Sequence, residues 1–196
     1  FGARALSPDI QPKYLNSPET EWFRKRETLY GAPQVYQEVR REESFVLVEG
    51  YLDVLALWQA GVHHALAPLG TAVTPEQIRR LKRDAPRGKL LFDADEAGIR
   101  AAERTSLLCE QQDLSTEGVR LEPGEDPAEI LQKQGSEALQ KSLESTISGF
   151  QFYLSTARSK FDSRTPDGKR AVIRHLGSYL TALDSQVKRD GYIRLL

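Results

Sequence analysis

The sequence predicts an α/β fold, a mainly parallel sheet flanked by helices and followed by a helical C-terminal part. Three observations carry this. Short strand-like segments at 45–48, 64–69, 89–92 and 119–121, mostly apolar, alternate with segments of helical composition, as βαβ units require. Acidic motifs follow these runs: Val48-Glu-Gly-Tyr-Leu-Asp53, Phe92-Asp-Ala-Asp95 and Gly124-Glu-Asp-Pro127. After Pro127 only helical patterning continues to the end of the chain.

Residues 1–44 are polar, and Pro8, Pro12, Pro18 and Pro33 are expected to break regular structure. Arg24-Lys25-Arg26 and Arg40-Arg41 form local basic clusters in this stretch. Residues 45–48 are continuously apolar, as in a strand buried on both faces. A helix follows over 51–60 and stops at Gly61, and a second strand at 64–69 closes at Gly70. Thr74-Pro75-Glu76-Gln77 reads as an N-cap, a proline in the first turn and a capping box, opening a helix over about 75–84 with Ile78 and Leu81 inward. A third strand at 89–92, an Ala-rich helix at 96–111 and a fourth strand at 119–121 complete β-α-β-α-β-α-β with right-handed crossovers. Helices are expected near 127–145, 149–160, 166–184 and 186–195, with breaks at Gly135, Gly149 and the Thr165-Pro-Asp-Gly168 start. No 20–50-residue repeat and no low-complexity tract is present.

At 39% hydrophobic and 28% charged residues, the 196-residue chain reads as a soluble globular domain with a smaller lobe. No run of about 18 apolar residues exists, so no membrane span is expected. One cysteine, Cys109, excludes an internal disulfide and a cysteine-built zinc site, fits a reducing cytosol, and reads as a small core residue. The net charge of −1 means that nucleic-acid binding requires a local basic patch. The chain starts at Phe1 and contains no Met, and it is read as a piece of a longer protein.

Open α/β sheets bind ligands at the carboxyl ends of their strands. Carboxylates gathered there without His or Cys are the donor set of a hard cation such as Mg²⁺. Glu49 followed by Gly50 leaves room for close approach to the backbone. Asp93 and Asp95, separated by the small Ala94, are spaced to face one cation. Without it they repel. Each acid also has a plainer reading, Glu49 as a surface residue and Asp95 and Asp126 as helix caps. All of them together on successive strand ends point instead to metal-dependent phosphoryl transfer.

These motifs and the βαβ spacing resemble the Toprim fold of primases, topoisomerases, recombination mediators and some nucleases. More narrowly, the chain resembles the RNA-polymerase core of bacterial DnaG-type primases. The strings are Phe1-Gly-Ala-Arg-Ala-Leu6, Pro12-Lys-Tyr-Leu-Asn-Ser-Pro-Glu-Thr20, Leu29-Tyr-Gly31, Val48-Glu-Gly-Tyr-Leu-Asp53, Leu69-Gly-Thr71, Asp93-Ala-Asp-Glu-Ala-Gly98 and Gly124-Glu-Asp-Pro127, in the family's order over about 130 residues. The resemblance implies Mg²⁺- or Mn²⁺-dependent synthesis of short RNA primers from nucleoside triphosphates on a single-stranded DNA template, in the bacterial cytoplasm at the replication fork. It implies Glu49 as a metal ligand or as the base that helps deprotonate a 3′-hydroxyl, and Asp93, Asp95 and Asp126 as metal ligands. Asp53 is then an accessory acid, and Arg4, Lys13, Tyr14, Asn16 and Lys25 line a ridge that contacts template or nucleotide phosphates, Tyr14 being placed to stack on a base. The implied division is the end of an N-terminal subdomain with its basic ridge at 1–43, a Toprim catalytic subdomain at 44–127 and a helical subdomain at 128–196. A zinc-binding module and a region that contacts the replicative helicase are expected outside this chain.

The chain departs from the family pattern at Ala94, commonly Gly, at Glu96, commonly basic, and at Ala128, commonly a second acid, for which Glu129 is the nearest substitute. The alternative reading is a Toprim nuclease or topoisomerase-like enzyme that cleaves phosphodiesters. A topoisomerase needs a tyrosine nucleophile that nothing here identifies, and a nuclease does not need the 12–20 string. A non-catalytic binding module of the same fold could lose the acids, which this chain keeps.

Overall fold

The computed structural model describes residues 2–5, 7, 9, 11, 14–122 and 124–195. In chain order the elements are β1 (Gly2–Arg4), β2 (Tyr14–Asn16), α1 (Ala32–Arg41), β3 (Ser44–Leu47), α2 (Tyr51–Gln59), β4 (Ala65–Leu66), α3 (Pro75–Asp84), β5 (Arg87–Leu90) and α4 (Glu96–Gln111). They continue with β6 (Ser115–Val119), α5 (Pro127–Gln134), α6 (Ser136–Ser142), β7 (Thr146–Ser148), α7 (Gly149–Lys160), α8 (Pro166–Thr181) and α9 (Gln186–Ile193). β1 and β2 form a two-stranded antiparallel ribbon, and the main sheet has the order β4-β3-β5-β6-β7. β3 pairs in parallel with β4 and β5, β5 in parallel with β6, and β7 closes the far edge antiparallel to β6.

The apolar runs are continuous because successive side chains feed two different cores. On one face Phe45, Leu47, Leu66, Leu90 and Phe92 pack with Val35 and Val39 of α1, Ile78 and Leu81 of α3 and Cys109 of α4. On the other, Val46, Val48, Ala65, Ala67 and Leu91 pack with Val54 and Leu57 of α2, Ile130 of α5 and Leu139 of α6. Cys109 is fully buried as a core thiol, and burial pushes its pKa up to about 12. A third core, around Phe150, Leu176 and Tyr179, holds α7 and α8 together. α4 joins this bundle to the sheet. Its buried Glu103 accepts from His175 at 2.9 Å and pairs with Lys160 at 3.5 Å. Glu110 accepts from the Tyr179 hydroxyl at 3.0 Å.

The helix starts follow their caps. Thr74 accepts from the Gln77 amide at 3.2 Å while Gln77 Oε1 accepts from the Thr74 amide at 3.0 Å, the expected capping box. Several features differ from the sequence expectation, among them β5, which spans Arg87–Leu90 rather than 89–92. Residues 32–41 are helical although Pro33 lies among them, because Pro33 occupies the first turn, where its missing N–H has no helical acceptor to lose. Gly31 enters this helix at φ +83°, and a Cβ there would approach the Trp58 ring to 2.8 Å. The fourth parallel strand runs over 115–119 rather than 119–121, in register with β5 from Arg87↔Ser115. β7 is an additional edge strand that sequence periodicity does not mark, being only three residues long.

Candidate active site

β3 and β5 run in register, Leu47 opposite Leu90. Glu49 lies two residues beyond Leu47 and Asp93 three beyond Leu90, so both emerge at the same carboxyl edge. The Asp93 amide donates to Glu49 Oε1 at 3.0 Å and ties the two strand ends together. Asp53 enters from the first turn of α2, where its carboxylate accepts from the Gly50 amide at 3.0 Å. Asp126 enters from the N-cap of α5 and accepts from the Glu129 amide at 2.7 Å.

Glu49, Asp53, Asp93 and Asp126 line one cavity of about 320 Å³ together with Tyr51, Pro68, Gly70 and Ala128. Burial and mutual repulsion shape its electrostatics. Burial, then repulsion from Asp93 and Asp95, raises the pKa of Glu49 above the ordinary carboxylate value, against the lowering effect of the Asp93 amide. Burial, then repulsion from Asp93, Asp126 and Glu49, pushes Asp53 up to about 7. Asp95 is placed differently. It is exposed and caps α4, accepting from the Gly98 amide at 2.7 Å, and it is not among the residues lining the cavity. Among the described residues no three carboxylate, His or Cys side chains group at metal-ligating spacing. The acids share a cavity wall rather than a common point. Their chemistry, all oxygen with no nitrogen or sulfur, fits a hard divalent cation.

Gly98, one turn into α4, holds this edge closed. A Cβ there would collide with the Asp93 carbonyl oxygen and come within 2.6 Å of Glu49 Oε1. Gly98 closes the Asp93-Ala-Asp-Glu-Ala-Gly98 motif, and the contact it protects forms only in three dimensions.

Of the expected ridge, Asn16 sits against the cavity wall. Its Oδ1 accepts from the Tyr51 hydroxyl at 3.2 Å and its Nδ2 donates to the Leu69 carbonyl at 3.4 Å. Lys25 is half-buried in the 19–28 loop, where its amide donates to Glu19 Oε1 at 3.0 Å. Buried Gln77 of α3 clamps that loop, its Nε2 donating to the carbonyls of Lys25 and Thr28 at 2.9 Å each. The Thr74 hydroxyl adds a 2.6 Å bond to the Arg26 carbonyl. The capping box thus does a second job that its local motif does not announce. Arg4 and Tyr14 face each other in the β1–β2 register. Their side chains, and Lys13 altogether, lie outside the described residues.

A parallel sheet whose carboxyl edge gathers acids around one cavity defines a Toprim-type unit, and a family model described as Toprim-like matches residues 46–131. A model of the DNA primase catalytic core, N-terminal domain, matches residues 1–36, and one of the DnaB-helicase binding domain of primase matches 150–196. The chain belongs to the bacterial DnaG-type primase family. It is 37% identical over 187 residues to a DNA primase of Enterococcus faecalis, covering 94% of this chain and 30% of that protein. It is 35% identical to one of Halalkalibacterium halodurans, covering 100% of this chain and 33% of the relative. The chain therefore spans about a third of the length of these relatives. A DNA primase domain from Pseudomonas aeruginosa superposes with a TM-score of 0.87 at 32% identity, covering 99% of this chain and 61% of that one. A DnaG primase catalytic domain bound to ssDNA superposes at 0.83 and 30% identity, covering 99% and 63%. Sequence reading places helicase contact outside this chain, whereas residues 150–196 match the helicase-binding model and also superpose on solved catalytic cores.

Proposed function

We propose that this chain is the metal- and nucleotide-binding part of a primase catalytic core, supporting synthesis of short RNA primers from nucleoside triphosphates on single-stranded DNA. The observation that carries this reading is the convergence of Glu49, Asp53, Asp93 and Asp126 on one cavity at the carboxyl edge of a parallel sheet. Residues 1–43 serve as the template-side ridge, 44–127 as the catalytic unit and 128–196 as the helical part, whose last 47 residues also offer a surface for the replicative helicase. No helix among the described residues is long and apolar enough to cross a membrane, and the reading places the protein in the bacterial cytoplasm.

Glu49, Asp93 and Asp126 are the residues that would hold Mg²⁺ or Mn²⁺, with Asp95 joining from the α4 cap and Asp53 as the accessory acid. A bound divalent cation supplies neutralisation of the triphosphate and acidification of the attacking 3′-hydroxyl. The chain's own contribution is placement. The Asp93 amide orients the Glu49 carboxylate, and the Gly50 amide orients Asp53. Asn16 and Lys25 position phosphates of the template or nucleotide along the rim. The single Asp126, with Ala128 where the family commonly has an acid, predicts a weaker outer cation site.

The test is incubation with a single-stranded template, ribonucleotides and Mg²⁺ or Mn²⁺, alone and with the upstream part of a related core added in trans. Extension of a supplied primer supports the reading. Cutting of the DNA without extension would favour the Toprim nuclease alternative.

A further inference from the structure

Trp22 is the most exposed large hydrophobic residue among the described residues, with 95% of its surface open, and nothing in the site described above uses it. Single exposed apolar residues are ordinary. This one stands on an ordered platform. The amides of Trp22 and Phe23 both donate to Thr20 Oγ1, at 3.3 and 3.0 Å, and the Thr20–Phe23 backbone closes a tight turn. Two residues further on, the clamp from Gln77 fixes Lys25 and Thr28 to α3. The indole is thus exposed on a hydrogen-bonded turn that precedes Arg24 and Lys25 in the chain.

The loop is also continuous with the active-site rim. Asn16, bonded to Tyr51 at the cavity wall, is six residues before Trp22. Six residues reach at most ~20 Å, so the indole lies within a few nucleotides' reach of the acids. The loop carries three cations, Arg24, Lys25 and Arg26, against three glutamates, Glu19, Glu21 and Glu27, but they are not paired with one another one for one. Arg24 pairs with Glu27 and Arg26 with Glu76, while Glu19 is engaged with the Lys25 amide rather than with its ammonium.

An indole beside cations, fixed outside a phosphoryl-transfer cavity, matches the physics of single-strand binding, in which bases stack on aromatic faces while cations hold the backbone. Duplex DNA keeps its base faces covered and offers no such contact. We propose that Trp22 is a base-stacking platform for single-stranded nucleic acid, set at the outer end of a track that starts at Asn16 and passes Lys25. The proposal rests on the template-binding reading of the ridge.

The probe is a fluorescein-labelled oligo(dT) of about a dozen nucleotides, read by anisotropy across a salt series, with indole emission followed in parallel. Trp22→Ala is expected to weaken binding roughly 5- to 160-fold, the range for loss of one stacked base, with the salt slope unchanged. Trp22→Phe retains most of the affinity. Parent emission is quenched by the oligonucleotide, and that quenching is absent in Trp22→Phe, where only Trp58 reports. Lys25→Glu is expected to weaken binding and flatten the salt slope. If Trp22→Ala binds like the parent while Lys25→Glu does not, the stacking proposal falls and the ridge reading stands. If the parent shows no binding at low salt, or neither variant changes it, both fall. A duplex of the same length binding as tightly as the single strand, with equal quenching, also overturns the proposal. Trp22 makes no core contact, so circular dichroism of Trp22→Ala is expected to match the parent.

Discussion

Gly98→Ala is the sharpest perturbation of the active-site edge, because it adds one methyl group and no charge. The new Cβ would collide with the Asp93 carbonyl oxygen and crowd Glu49 Oε1 at 2.6 Å. The carbonyl belongs to the backbone and cannot rotate away, so either α4 or the 93–95 loop must shift. Overpacking of this kind costs about 1–3 kcal/mol. Displacing Glu49 also threatens its 3.0 Å bond from the Asp93 amide, worth about 1.5–3 kcal/mol for a charged acceptor when fully made and less at this half-buried position. Helix propensity favours Ala by about 1 kcal/mol and offsets part of this. The expected net loss is about 1–3 kcal/mol, or roughly a 3–10 °C fall in Tm for a chain of this size. Thermal unfolding followed by circular dichroism in EDTA reads the stability. Mn²⁺ titration by electron paramagnetic resonance reads the site and is expected to show at least tenfold weaker binding. A Gly98→Ala protein with the parent's Tm and the parent's Mn²⁺ affinity would refute the claim that this glycine keeps Glu49 and Asp93 in register.

Asp93→Asn is expected to abolish Mn²⁺ binding while leaving the fold intact, and unchanged Mn²⁺ occupancy in crystals of the variant would remove Asp93 from the donor set. Gln77→Ala strips two bonds from the carbonyls of Lys25 and Thr28, for an expected loss of about 1–3 kcal/mol and faster tryptic cleavage at 24–26, with the rest of the chain protected. His64 has its pKa lowered by burial first, with Lys89 acting in the same direction against Glu42. A base whose folded pKa lies below its unfolded value costs stability as pH falls through the unfolded value near 6.5. His64→Gln should therefore lose less stability than the parent between pH 7 and 5, and parallel pH–Tm curves would show that His64 is not the titrating group.

The parts of this molecule that could be read directly from the chain are those in which local preference and burial agree. Residues 45–48 and 90–92 are continuously apolar because alternate side chains enter two cores, Phe45 and Leu47 one, Val46 and Val48 the other, although the third strand itself runs over Arg87–Leu90 rather than 89–92. The caps at Thr74, Asp95, Asp126 and Thr165 are bonds made within three residues and need no tertiary partner. The acidic motifs are visible for the same reason, each being confined to one turn of chain. Elements whose formation depends on distant pairing were not visible. β7 exists because β6 has an open edge to pair with, and the β1–β2 ribbon requires residues about 10 to 14 apart to meet, such as Gly2 with Asn16. Helix α1 is disguised by a proline that is harmless only in the first turn. Tertiary structure alone decided that Asp53 and Asp126, 73 residues apart, share a cavity with Glu49 and Asp93, and that Asp95 caps its helix outside the cavity lining. It also decided that a capping glutamine reaches 52 residues back to hold Lys25. The physical reason is range. Backbone preference and side-chain capping act over a few residues, whereas the burial and mutual repulsion that raise Glu49 and Asp53 exist only once the sheet has brought separate strand ends to one edge.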